Sequence, residues 1–170
     1  MWGIVGDYWI QQRAAAWLLL AALGYLAVLA VLLAAEDIRS RRLPDRLVLP
    51  AYPAAIGLLS SAAVLAGDPG RLAGMAGGGL ALLGGYFLLR VLNPAGLGLG
   101  DVKLAGVLGM FLGYAGWMQV AAGTAAGFVL GGIWGLGLIL TGRGTGKTRI
   151  AFGPFMLAGA AVALLAPGLQ

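Results

Sequence analysis

Two aspartates in this chain stand at the edges of strongly apolar segments. Asp101 follows Gly98-Leu99-Gly100 and opens a run beginning Val102-Lys103-Leu104, and Asp37 closes a long apolar stretch that begins after Arg13. A charged side chain at the centre of a membrane span costs about 2.5–3.5 kcal/mol on insertion scales, so such a residue is a functional-site hypothesis by default. Two carboxylates brought close cannot both ionise cheaply. One keeps a proton, and the pair divides the work of a base toward water and an acid toward a carbonyl oxygen. This is general acid–base hydrolysis, and it calls for neither a covalent intermediate nor a cofactor. Each aspartate also has a structural reading. Asp37 can cap a helix end or pair with an arginine in the stretch 39–42, and Asp101 can be the N-cap of a helix that begins at Val102.

The remaining acids are Asp7, Glu36, Asp45 and Asp68. Asp7 falls in an N-terminal tail and Asp68 in a Gly/Pro turn, where both are expected to be solvated surface charges. With no cysteine and no histidine among 170 residues, disulfides, Cys/His zinc sites, thiol nucleophiles and Ser-His or Cys-His pairs are excluded. No metal or cofactor is expected. The string Thr141-Gly142-Arg143-Gly144-Thr145-Gly146-Lys147-Thr148 imitates a phosphate loop, but Thr141 stands where that pattern requires glycine. It reads as a basic loop and not as a nucleotide site.

The elements that must hold these residues lie in lipid. Hydrophobic residues make up 61% of the chain and charged ones 10%, with a mean hydropathy of +0.94. Soluble domains carry about 25% charged residues, so the composition predicts an integral membrane protein. The formal charge of +5 sits in short clusters between apolar spans. That arrangement serves topology and not nucleic-acid binding.

A span needs about 20 apolar residues. On that measure the chain reads as one all-α domain over residues 1–170, a polytopic helix bundle with about six transmembrane helices. They fall at 14–35, 47–66, 72–92, 102–115, 117–140 and 150–166, the fourth and sixth being short. Pro50 and Pro53 lie in the first turns of the second. The N-terminal segment lacks the basic start of a signal peptide, so the first span is expected to remain in the mature protein.

Placing the N-terminus outside puts Arg39, Arg41, Arg42, Arg46, Arg90, Lys103, Arg143, Lys147 and Arg149 inside and leaves Arg13 and Arg71 outside. This follows the positive-inside rule. Both Asp37 and Asp101 then face the cytoplasm. Gly123, Gly127, Gly131 and Gly135 recur every four residues, and the pairs Gly74/Gly78 and Gly109/Gly113 repeat that spacing. Such small-residue faces are read as tight packing within the bundle, with a homo-oligomer interface as the alternative. Gly96, Gly98 and Gly100 predict a loop free to adopt positive φ, over which an extended substrate can lie.

Three strings together resemble the type IV prepilin peptidases and archaeal preflagellin peptidases, a family of GxGD-type intramembrane aspartyl proteases. They are Asp37-Ile38-Arg39-Ser40-Arg41-Arg42-Leu43-Pro44-Asp45, then Gly98-Leu99-Gly100-Asp101-Val102-Lys103-Leu104, then Phe152-Gly153-Pro154-Phe155. The resemblance implies that Asp37 and Asp101 are the catalytic pair, with Pro44, Gly98, Gly100 and Lys103 as supporting motif residues. It implies that Asp45 is dispensable. It also implies a prepilin-like or preflagellin-like protein substrate, whose short basic leader is cut at the cytoplasmic membrane face while its apolar helix stays in the bilayer. Larger members carry an N-terminal four-cysteine region and methylate the new N-terminus. Here the first span starts near Ala14 and cysteine is absent, so the expected comparison is the short form, without methyl transfer or S-adenosylmethionine. The competing readings are a presenilin- or signal-peptide-peptidase-type GxGD protease, and a small transporter or assembly scaffold whose acids bind a cation. Asp37 sits at a span end beside arginines and not deep within a span, which favours the prepilin type.

Overall fold

A computed structural model describes residues 1–40, 43–94, 96–143 and 151–166. Arg41, Arg42, Lys147, Arg149 and most of the basic loop around Thr145 lie outside the described residues. The described residues form seven helices in the order α1 (Trp2–Gln11), α2 (Arg13–Ser40), α3 (Asp45–Leu65), α4 (Gly70–Leu92), α5 (Leu99–Ala115), α6 (Trp117–Leu140) and α7 (Gly153–Leu165).

The all-helical fold follows from the solvent. In lipid each backbone N–H and C=O must find its partner within the chain, and a helix achieves this locally. α2, α3, α4 and α6 are each long and apolar enough to cross a membrane. Pro50 and Pro53 lie inside α3. α5 has 17 residues and α7 has 13, which at 1.5 Å per residue gives about 26 Å and about 20 Å. These two are the short fourth and sixth spans of the sequence, and packing explains how they can be short. Beyond Lys103 α5 is apolar all round and buried along most of its length to Tyr114, packed by α3, α4, α6 and α7. A helix surrounded by protein need not match the lipid thickness.

Glycines set the closest contacts. Gly74 and Gly78 of α4 face Gly109 and Gly113 of α5 so tightly that a Cβ on Gly78 would stand 2.7 Å from the Gly113 Cα. The two pairs noted separately in the sequence are therefore the two halves of one interface. The α6 stripe faces inward too. Gly123 meets Leu112 and Ala163, Gly127 meets the backbone of Phe155 and Met156, and Gly131 meets the ring of Phe152. Between α5 and α6 the chain reverses at the single residue Gly116, whose φ of +145° is a conformation that L side chains rarely adopt.

α1 was not expected. Instead of a tail, residues 2–11 form a helix whose stripe of Ile4, Val5 and Tyr8 is buried. The Tyr8 hydroxyl lies 3.1 Å from the Tyr114 hydroxyl at the end of α5. Arg71, at the start of α4, sits over both rings, 6.0 Å from the Tyr8 centroid and 5.7 Å from the Tyr114 centroid. Asp68 is not simply solvated, since its carboxylate pairs with Arg71 at 2.8 Å. This clamp ties together the bundle end opposite Asp37 and Asp101.

Candidate active site

α2 carries Asp37 into the bundle by helical periodicity. Its buried face runs Ala15, Ala16, Leu19, Ala22, Leu26, Leu29, Leu33 and then Asp37, so the carboxylate continues a ridge of apolar side chains. It is 4% exposed. A buried carboxylate needs hydrogen-bond donors, and Asp37 finds one in another helix. The backbone N–H of Gly153, in the first turn of α7, donates to its Oδ2 at 3.1 Å. A Cβ on Gly153 would stand 2.7 Å from that same oxygen, so a larger residue there would have to displace the carboxylate or the helix start.

Asp101 is held differently from the sequence expectation. α5 does not begin at Val102 with Asp101 as its N-cap. It begins at Leu99, Gly98 is the N-cap, and Asp101 occupies the third helical position. From there its Oδ2 accepts the Gly98 backbone N–H at 3.0 Å. A carboxylate in the first turn also meets the positive end of the helix dipole. Leu43 packs on the backbone of Gly100, the residue before Asp101, and its Cδ1 lies 3.4 Å from the Cβ position of Gly153, whose N–H holds Asp37. Two aspartates far apart in sequence thus occupy one end of one bundle.

The glycine loop also departs from expectation. Positive φ among the described glycines occurs at Gly67, Gly116 and Gly142, and not at Gly96, Gly98 or Gly100. Gly98 is extended, with φ −77° and ψ 155°, and Gly100 is already helical. The physical role of Gly100 is close approach. A Cβ there would stand 2.7 Å from the Leu43 Cβ and 3.2 Å from the Leu43 carbonyl oxygen.

The other motif residues brace this end. Pro44 is the N-cap of α3. Lys103 pairs through Nζ with the Asp45 Oδ1 at 2.7 Å, and its carbonyl accepts the Tyr52 hydroxyl at 2.7 Å. Arg90 donates to the Leu97 carbonyl at 2.6 Å, which fastens the approach to α5 onto the end of α4. Sequence reasoning placed Phe152-Gly153-Pro154-Phe155 at the entry of the last helix but did not foresee that Gly153 would touch Asp37. It also missed an aromatic group of Tyr86, Phe128 and Phe152, with centroids 5.3–6.4 Å apart, in which Phe152 directly precedes the glycine that holds Asp37. The Phe-Gly-Pro string itself was the available signal.

The three strings that converge here all lie within the 23–166 segment matched by the family model for type IV leader peptidases. The chain belongs to the type IV leader peptidase family. It is 34% identical over 151 residues to a prepilin leader peptidase/N-methyltransferase of Aeromonas salmonicida, covering 88% of this chain and 50% of that protein. A protein of the same description from Stutzerimonas stutzeri is 32% identical over 130 residues, 76% of this chain and 44% of its own length. One from Bacillus subtilis is 29% identical over 139 residues, 81% and 52%. The chain therefore spans about half the length of the curated relatives it matches. No solved structure matches it. Asp37, Pro44, Gly98, Gly100, Asp101, Lys103 and Gly153 all fall inside the matched segment of this family member.

Proposed function

We propose that this leader peptidase family member is an aspartic endopeptidase that removes the short basic leader of prepilin-like or preflagellin-like proteins, with Asp37 and Asp101 as its catalytic pair. One observation carries the reading. Two acids carried by different helices, α2 and α5, lie at the same end of the bundle, where Leu43 packs on the residue before Asp101 and reaches toward the residue whose N–H holds Asp37. Each is held by a backbone N–H. A carboxylate pair of this kind shares one proton. The ionised member takes a proton from water as that water attacks the scissile carbonyl. The protonated member donates to the carbonyl oxygen, and the proton then passes to the leaving amine. Backbone donors fix both carboxylates without adding a competing charge.

The whole chain acts as a single integral-membrane unit in this reading. The site end carries Arg39, Arg46, Arg90, Lys103 and Arg143, and the opposite end carries Arg13 and Arg71. By the positive-inside rule the aspartates face the cytoplasm and the N-terminus lies outside. The leader is thus met where it is made, and the substrate's apolar helix remains in the bilayer. The experiment is cleavage of a co-expressed prepilin. The native chain should shorten it, and Asp37→Ala and Asp101→Ala should each leave it full length at equal membrane expression. Unchanged cleavage by either variant would remove that residue from the pair.

A further inference from the structure

Leu43 is buried in the connection between α2 and α3, and it touches the backbone that supports each aspartate. On one side its Cβ and backbone press on Gly100, the residue before Asp101. On the other its Cδ1 reaches to 3.4 Å from where a Cβ of Gly153 would be, and Gly153 is the residue whose N–H holds Asp37. A Cβ on Gly100 would clash with Leu43, whereas the Gly153 side is an ordinary van der Waals approach. One side chain is therefore wedged between the first turn of α5 and the first turn of α7.

The geometry points to Leu43 as a positioning residue that sets the separation of the Asp37 and Asp101 carboxylates by acting as a spacer between Gly100 and Gly153. The inference rests on the peptidase reading of the pair for its kinetic consequence, and on packing alone for its structural one. Leu43 touches the supports of the two acids through apolar contact, so it contributes no proton and no charge. A shared proton and an in-line water demand a fixed carboxylate spacing. Misplacement on the scale of an ångström can lower turnover about a hundredfold. Trimming Leu43 leaves its backbone on Gly100 but removes the stop against Gly153. The entry of α7, and Asp37 with it, can then shift relative to α5. Methionine, of similar volume and greater flexibility, can refill the gap.

The test uses two readouts on the full chain. Spin labels at Ile38→Cys and Leu99→Cys flank the two aspartates at exposed positions, 67% and 52% accessible, in a protein with no native cysteine. Dipolar spectra should give one narrow distance with Leu43, a broadened one with Leu43→Ala, and a narrow one again with Leu43→Met. Prepilin cleavage should show kcat reduced by on the order of tenfold to a hundredfold for Leu43→Ala, with KM unchanged and substantial recovery for Leu43→Met. Leu59→Ala, at a fully buried leucine of α3, should destabilise the fold without either effect. The spacer role is overturned if Leu43→Ala leaves distance and kcat unchanged, if KM rises at constant kcat, or if Leu59→Ala broadens the distance equally. Should the native chain cleave no prepilin while the distances behave as stated, the peptidase reading falls and the spacer stands.

Discussion

The Gly153 N–H donates to the Asp37 carboxylate across 116 residues of sequence, at 3.1 Å and out of reach of solvent. The bond joins the end of the first long helix to the start of the last one. It makes the Phe-Gly-Pro string a part of the candidate site and not merely a helix entry. Gly153→Ala should therefore impair cleavage while the chain still inserts. The added methyl group lies 2.7 Å from the Asp37 Oδ2 and must displace either the carboxylate or α7. Comparing kcat at matched membrane expression checks this, and native turnover would mean that the carboxylate needs no such donor.

Removing either acid should lower prepilin cleavage by at least about a hundredfold, the lower range for loss of a general acid or base. Asparagine should fail at Asp37 and Asp101 as fully as alanine, because an amide keeps the shape and cannot exchange the proton. Cleavage assays in detergent or nanodiscs with both substitutions at both positions decide it. An active asparagine variant would point to a purely structural role at that position.

Gly100 supplies a prediction that separates packing from substrate contact. Its helical backbone lies against Leu43. Gly100→Leu should therefore lower thermal stability as well as turnover, by about 1–3 kcal/mol for an overpacked contact. If the melting temperature is native and only KM rises, the residue faces the substrate instead.

The Asp45–Lys103 pair is partly exposed, at 57% and 34%. Such pairs contribute about 0.2–1 kcal/mol. Asp45→Asn should accordingly leave cleavage within a few-fold of native. A complete loss would move Asp45 into the machinery. The comparison of Asp45→Asn with Asp37→Asn in one assay is sufficient.

The α4–α5 contact can be probed by a matched pair of glycines. Gly78→Ala drives a methyl group into the Gly109 carbonyl and the Gly113 backbone, whereas nothing lies within 4 Å of a Cβ at Gly84. Gly78→Ala should destabilise by about 1–3 kcal/mol. Gly84→Ala should be neutral or gain about 0.5–1 kcal/mol of helix propensity. Thermal melts in detergent test both signs. Equal effects would mean that the two helices do not approach as closely as described.

Much of this protein was legible from local properties of the chain. Hydropathy over windows of about 20 residues placed α2, α3, α4 and α6 to within a few residues, because lipid imposes the same demand on every exposed span. Charge at apolar edges singled out Asp37 and Asp101 as candidates, because an acid there is costly in lipid. The four-residue glycine spacing marked the packing faces, but it took the fold to pair Gly74 and Gly78 with Gly109 and Gly113. α1 escaped because its buried stripe of Ile4, Val5 and Tyr8 is helical but far shorter than a membrane span. The start of α5 at Leu99, the pressure of Leu43 on Gly100 and the bond from Gly153 to Asp37 were decided only by tertiary structure. Hydropathy and spacing report what one segment prefers in its solvent. Which backbone N–H meets which carboxylate depends on how distant helices seat against one another, and no single segment carries that information.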